Sequence, residues 1–172
     1  IVQRVVAAFV VPRRLPRLDL RHGVPEGFRT LVVVPVLIGS VEEVDHLIAH
    51  FEVQALGNLD PRIHFALLTD FKDARTAAVE GDEEILAAAV AGIEGLNRRH
   101  LAAGNDRFLL LHRDRKWNPQ EGVFMGWERK RGKIEELNRR LRTVGESGFS
   151  VEIGDLSILP SVRFVLTLDA DT

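Results

Sequence analysis

Cysteine is absent from the 172 residues, which excludes disulfides and thiolate metal sites and leaves the redox compartment unmarked. No stretch reaches the roughly 18 apolar residues that a membrane-spanning helix needs. An excess of one charge is also lacking: 23 basic against 25 acidic residues give a formal net charge of −2. That balance excludes bulk attraction to nucleic acid or to an anionic membrane surface. Internal repeats and low-complexity segments are missing. So is an initiator methionine, because the chain opens at Ile1 with "IVQRVVAAFVV", an apolar stub broken by Arg4. The stub has neither the basic start nor the small-residue cleavage site of a signal peptide. The expectation is a piece of a longer protein. Residues 1–28 form its arm or linker, extended through "PRRLPRLDLRHGVPEG", and 29–172 form the folded unit.

What remains is the composition of an ordinary globular domain, 45% hydrophobic and 28% charged. "TLVVVPV" (30–36) is a short Val-rich run that suits a strand buried on both faces. Ser40 with Glu43 three residues later is a capping-box signature, and Val41, Val44, Leu47, Ile48, Phe51 and Ala55 follow at helical spacing. "IHFALLTD" (63–70) predicts a second buried strand. Asp82 is the expected N-cap of a helix carrying Ile85, Leu86, Ala89, Val90, Ile93 and Leu96 on one stripe. "RFLLLH" (107–112), a helix over about 130–144 and "VRFVLTL" (162–168) complete the alternation. Strand and helix in strict turn predict an α/β fold: an open, mainly parallel sheet with right-handed crossovers and helices on both faces.

Ligands of such sheets bind beyond the carboxyl ends of the strands. Asp70 follows the second strand there, and "TLDADT" places Asp169 and Asp171 after the last. An Asp-x-Asp offers two hard oxygens on one side of an extended backbone, which suits Mg²⁺ or Mn²⁺. A solvated strand-to-loop turn explains the same residues. "WERKRGKIEELN" (127–138) gathers Arg129, Lys130, Arg131 and Lys133 around Gly132 at a helix start. Cations are unfavourable at that end of a helix dipole. A bound diphosphate would relieve them; a solvated basic face accounts for them equally well. "HRDRKWNPQEGVFMGW" (112–127) reads as a long loop without period. Trp117 or Trp127 could stack on a base or sugar ring, and Trp127 is expected in the core.

The segments "RTLVVVPVLIGSVEEV", "HFALLTDFKDA", "WNPQEGVFMGWERKRGKIEELN" and "VRFVLTLDADT" resemble, in order and spacing, the glycosyltransferase region of bacterial cyclic β-1,2-glucan synthases. The likeness runs from about Leu18 to Thr172 and extends more loosely to the processive synthases of cellulose and chitin. It implies a nucleotide-sugar transferase (GT-A-like) fold, cut short here, with Mg²⁺ or Mn²⁺ on Asp169 and Asp171. It implies UDP-glucose as donor, a β-1,2-glucan acceptor and no nucleic acid. The rest of a multi-pass protein would hold the domain at the cytoplasmic face of the bacterial inner membrane, the fragment itself being soluble.

Residue by residue, the resemblance makes Asp70 the uridine-side acid and places Lys133 and Asn138 of "GKIEELN" near the nucleotide. Pro35 and the turn after it become the donor-site floor. Val36-Leu37-Ile38 departs from the polar residue usual past that proline. Direct inverting displacement is implied, with a catalytic base beyond Thr172 and an isolated fragment that is inactive. Asp114 and Glu121 match no base motif. Two rivals share the Asp-x-Asp or the fold class. One is a haloacid-dehalogenase-like phosphatase fragment with Asp169 as nucleophile. The other is a non-catalytic α/β nucleotide-binding or interaction module.

Overall fold

A computed structural model describes residues 20–100, 106–143 and 147–170. Strand β1 (Thr30–Ile38) leads into helix α1 (Val41–Leu56), then β2 (Ile63–Phe71) and α2 (Asp82–Arg99). After β3 (Phe108–Arg113) a short hairpin, β4 (Lys116–Asn118) and β5 (Val123–Met125), precedes α3 (Arg129–Arg142). The edge strand β6 (Val151–Ile153), a 3₁₀ turn (Leu156–Ser161) and β7 (Phe164–Thr167) follow.

The sheet order is β6-β3-β2-β1-β7. β1, β2, β3 and β7 run parallel, and β6 is antiparallel to β3. The chain winds outward from β1 to β3 and then returns to the far side of β1. The direction of winding changes between β1 and β7, and open α/β sheets bind ligands at the carboxyl ends of the strands at such a point. Helices cover both faces, as the strand-helix alternation predicts. Val32, Val34, Phe65, Leu67 and Phe108 pack with α1 and α2 on one face. Leu31, Val33, Ala66, Leu68 and Leu109 meet Leu137 of α3 and Leu159 of the 3₁₀ turn on the other. No helix among the described residues is long and apolar enough to cross a membrane.

Four local expectations need correction. Residues 1–19 of the arm lie outside the described residues, but 20–28 are not extended: they fold into turns closed by Gly23 N–H to Leu20 O and Phe28 N–H to Pro25 O. Asp82 is not the N-cap of α2. Gly81 takes that place at φ 90°, while the Asp82 carboxylate accepts from Val79 N–H and is gripped by Arg115. Trp127 is not in the core, being 47% exposed. The last strand is an apolar run in sequence, which suits burial, yet Phe164, Val165 and Leu166 of β7 are exposed at the sheet edge.

Candidate functional site

Register brings the first two residues of the site together. Asp70 of β2 lies opposite Leu37 of β1 on one side and Arg113 of β3 on the other. Arg113 therefore reaches straight across the strand spacing and grips the carboxylate with both prongs, Nε to Oδ1 at 2.8 Å and Nη2 to Oδ2 at 2.9 Å. This bidentate geometry is the strong form of a charge-assisted pair. Lys133 of α3 completes a triad, with Nζ 3.1 Å from Oδ2. All three are buried, and Asp70 is fully inaccessible.

The cations also hold backbone. Lys133 Nζ donates to Val36 O at 2.5 Å, which ties α3 to β1. Arg113 Nη2 donates to Trp127 O and Arg129 O, both at 3.2 Å, and so fixes the turn that starts α3. Burial pushes the Lys133 ammonium below the ordinary lysine value, and the charge of Asp70 works against that shift.

Two glycines make this crowding possible. A Cβ on Gly126 would lie 2.4 Å from Asp70 Oδ2, and one on Gly132 would lie 1.8 Å from Trp127 O. Between them Glu128 and Arg129 adopt φ 50° and 42°, a region that residues with side chains seldom enter. Such strain persists only where its surroundings hold it, and it gathers at functional sites.

Asp169 stands on the other side of β1. Leu168 N–H still donates to Val33 O, so the ladder continues to the residue before it. Two strand spacings, about 10 Å, separate the β2 and β7 lines. The helix spans that gap. Lys130 pairs with Asp169 while Lys133, one turn further along α3, pairs with Asp70. Both Lys130 and Asp169 are more than half exposed. One helical turn thus touches both carboxylates. Asp171 lies outside the described residues.

Pro35 sits in β1 beside Leu68, one residue before the carbonyl that Lys133 grips. Asn138 is not brought to this cluster. It is exposed, five residues past Lys133 and so turned well round the helix from it. Among the described residues no group of three histidines or carboxylates could hold a metal ion.

The supposed long loop is built structure. Trp117 of β4 packs on Phe124 of β5 with ring centroids 5.2 Å apart. Phe124 in turn exchanges backbone bonds with Ala74 at 2.9 and 2.8 Å. The hairpin and α3 enclose a cleft of about 650 Å³ that Arg113 also lines. Below the triad, Thr69 Oγ1 and His112 Nδ1 are 2.9 Å apart, and burial holds that imidazole down to about 4.

No family model matches the chain. Over 168 residues, 98% of its length, it is 44% identical to the cyclic beta-(1,2)-glucan synthase NdvB of Rhizobium meliloti (strain 1021). The chain is related to a segment of a cyclic β-1,2-glucan synthase. The likeness of the four motifs to that family is borne out. The chain spans 6% of the length of this curated relative.

Sequence reasoning missed Arg113. Its signal was there: an arginine closing a strand that opens on four apolar residues, one parallel neighbour away from Asp70. A charge in that position has no solvent to face and needs an acid at the same level of the sheet.

Proposed function

We propose that this chain supplies the donor-binding side of a glucosyltransferase that builds β-1,2-glucan from UDP-glucose, within a larger membrane synthase of the bacterial inner membrane. One observation carries the reading: the first turn of α3 links Asp70 and Asp169 across the carboxyl edge of the sheet, in a relative of a glucan synthase. The location supports it, since open α/β sheets bind ligands at this edge. Under the nucleotide-sugar reading the fold is a GT-A-like half.

Asp70 itself is inaccessible, so it serves the uridine side as a buried anchor: it holds Arg113 and Lys133, which fix the turn that starts α3 and tie α3 to β1. Lys133 fixes the same end of α3 to β1. Lys130, the exposed cation of the turn that pairs with Asp169, meets the diphosphate. Asp169 and Asp171 would hold Mg²⁺ or Mn²⁺. The fit rests on Asp169, an exposed hard-oxygen donor whose described partner is one surface lysine. Such an ion, when bound, supplies a Lewis acid for charge on the departing diphosphate. Donor α-configuration and product β-configuration make the displacement inverting. No described residue is assigned as the base.

Calorimetry with UDP-glucose tests this. Binding is expected only with Mn²⁺ or Mg²⁺ present, weakened at least about tenfold by Asp169→Asn, whose lost ligand leaves the cation short of charge. Glu94→Gln, at the far end of α2, serves as control and leaves affinity unchanged. Metal-independent binding, or equal losses in both variants, refutes the assignment.

A further inference from the structure

The cleft between the hairpin and α3 is not used by the donor reading. Trp117 and Trp127 line it, 53% and 47% exposed, with buried Met125 behind them. Large aromatic rings left half in water at a concave site serve ligands more often than they serve folding. The platform is held firm. Phe124 backs Trp117, and Arg129 ties Glu121 of the hairpin and Asp73 of the β2–α2 connection at 2.8 Å each. Asn118 Oδ1 closes the turn by accepting from Gln120 N–H at 3.0 Å.

Charge decides the ligand class. The lining holds Arg113, Lys116 and Arg139 against Asp114, Glu128 and Glu136, so the signs cancel. Two of the cations are already engaged, Arg113 by Asp70 and Arg139 by Glu136 at 2.7 Å. A diphosphate gains nothing from such a wall. Asp114, Lys116 and the Gln120 amide make no side-chain hydrogen bond or ion pair among the described residues and stand ready for hydroxyls. Apolar ring faces beside unpaired donors and acceptors match a neutral polyol. β-Linked glucose is the best match, because its equatorial hydroxyls leave flat C–H faces free to lie on indole.

We propose that this cleft is a glucan subsite, separate from the donor edge, which holds a short β-linked gluco-oligosaccharide against Trp117 and Trp127. The inference rests on the proposed function for its choice of sugar. Its volume lies within the roughly 300–1,000 Å³ of small-ligand sites. The cleft adjoins the donor side through Arg113, which lines the one and grips Asp70 in the other.

The chain's two tryptophans are both in this cleft, so intrinsic fluorescence reports on it directly. Titration with a short linear β-1,2-glucan is expected to give a saturable shift. By calorimetry Trp117→Ala should weaken binding about tenfold, while Trp117→Phe, which keeps a ring, retains most of it. Circular dichroism checks that each variant folds, and the wild-type titration stands without them. No shift with glucan overturns the subsite whether or not UDP-glucose binds. An equal shift with α-linked maltotetraose overturns the β-glucan assignment. A shift with UDP that glucan does not produce gives the cleft to the donor and overturns it too. Loss of UDP binding alone, with glucan binding intact, would count against the donor reading and leave the subsite standing.

Discussion

Replacing Arg113 by methionine tests whether the triad is built from the arginine outward. The substitution keeps most of the volume and removes four hydrogen bonds, two to Asp70 and one each to Trp127 O and Arg129 O. Breaking one partner from a buried ion pair costs about 3–5 kcal/mol, because the remaining charge is left in a poor solvent. Lys133 stays 3.1 Å from Asp70, which offsets part of that loss. Two carbonyls of a strained turn lose their donor, at about 1 kcal/mol each. The sum is about 4 kcal/mol, a large share of the 5–15 kcal/mol typical of a domain.

Urea unfolding followed by circular dichroism should show the unfolding free energy fall by that amount. Adding Asp70→Asn to Arg113→Met should then recover about 1–2 kcal/mol, since the stranded charge is gone. Lys133 keeps its bond to the Val36 carbonyl, and losing the Asp70 charge, which opposes the effect of burial, lowers its pKa further. A single variant within about 1 kcal/mol of wild type would refute the reasoning. So would a double variant less stable than the single one.

Acid should act in two successive windows. Burial, chiefly, holds His64 and His112 at about 4 against an ordinary 6.5, so the unfolded chain binds more protons between those values. Stability therefore falls as pH drops from about 6.5 to about 4, by up to about 3 kcal/mol per histidine. Urea midpoints across that range check it, and a flat profile counts against neutral buried imidazoles. Glu52, held at about 2 by Arg99 first and His100 second, should give up its contribution only below about 4.5. Glycine positions should separate sharply. Gly132→Ala drives a Cβ into the Trp127 carbonyl and should lower stability by about 2–3 kcal/mol or more, whereas Gly122→Ala, at φ 66° with open space around it, should cost about 1 kcal/mol. Thermal melts of the two read the difference, and equal melting points would mean that the start of α3 can move.

The parts legible in sequence are those with a period. β1, β2 and β3 appear as apolar runs because both of their faces are covered, and α1 shows its cap as well as its stripe: Glu43 N–H meets Ser40 Oγ at 3.1 Å. β4, β5 and β6 are three residues each, too short to alternate visibly. Asp82 looked like a cap because it has the right chemistry one position too late; the preceding glycine takes the left-handed geometry, and the acid is spent on Arg115. Trp127 looked like core because tryptophan usually is, but the carbonyl-anchored turn that holds it points the ring at the cleft. The site itself was half legible. Strand ends located Asp70 and Asp169, but only register shows that Arg113 stands next to Asp70, and a pattern of apolar residues does not encode register between distant strands.

The four cations at the start of α3 then acquire different meanings. A helix N-terminus repels them, and the chain answers each with a carboxylate: Arg129 with Asp73 and Glu121, Lys130 with Asp169, Arg131 with Glu128, Lys133 with Asp70. No phosphate is needed to balance this turn. The pairs are not equivalent, however. Lys133 and Asp70 are buried and satisfied together, so separating them would strand two charges at once. Lys130 and Asp169 are exposed, and surface pairs of that kind contribute little. Exchange of partners is therefore cheap at Lys130 and expensive at Lys133. An incoming diphosphate that took Lys130 would free the Asp169 carboxylate at the moment a divalent cation accompanies it, while the buried triad below kept α3 in register with the sheet. The proposed donor site in this way divides into a fixed half, centred on Arg113, and an exchangeable half, centred on Lys130.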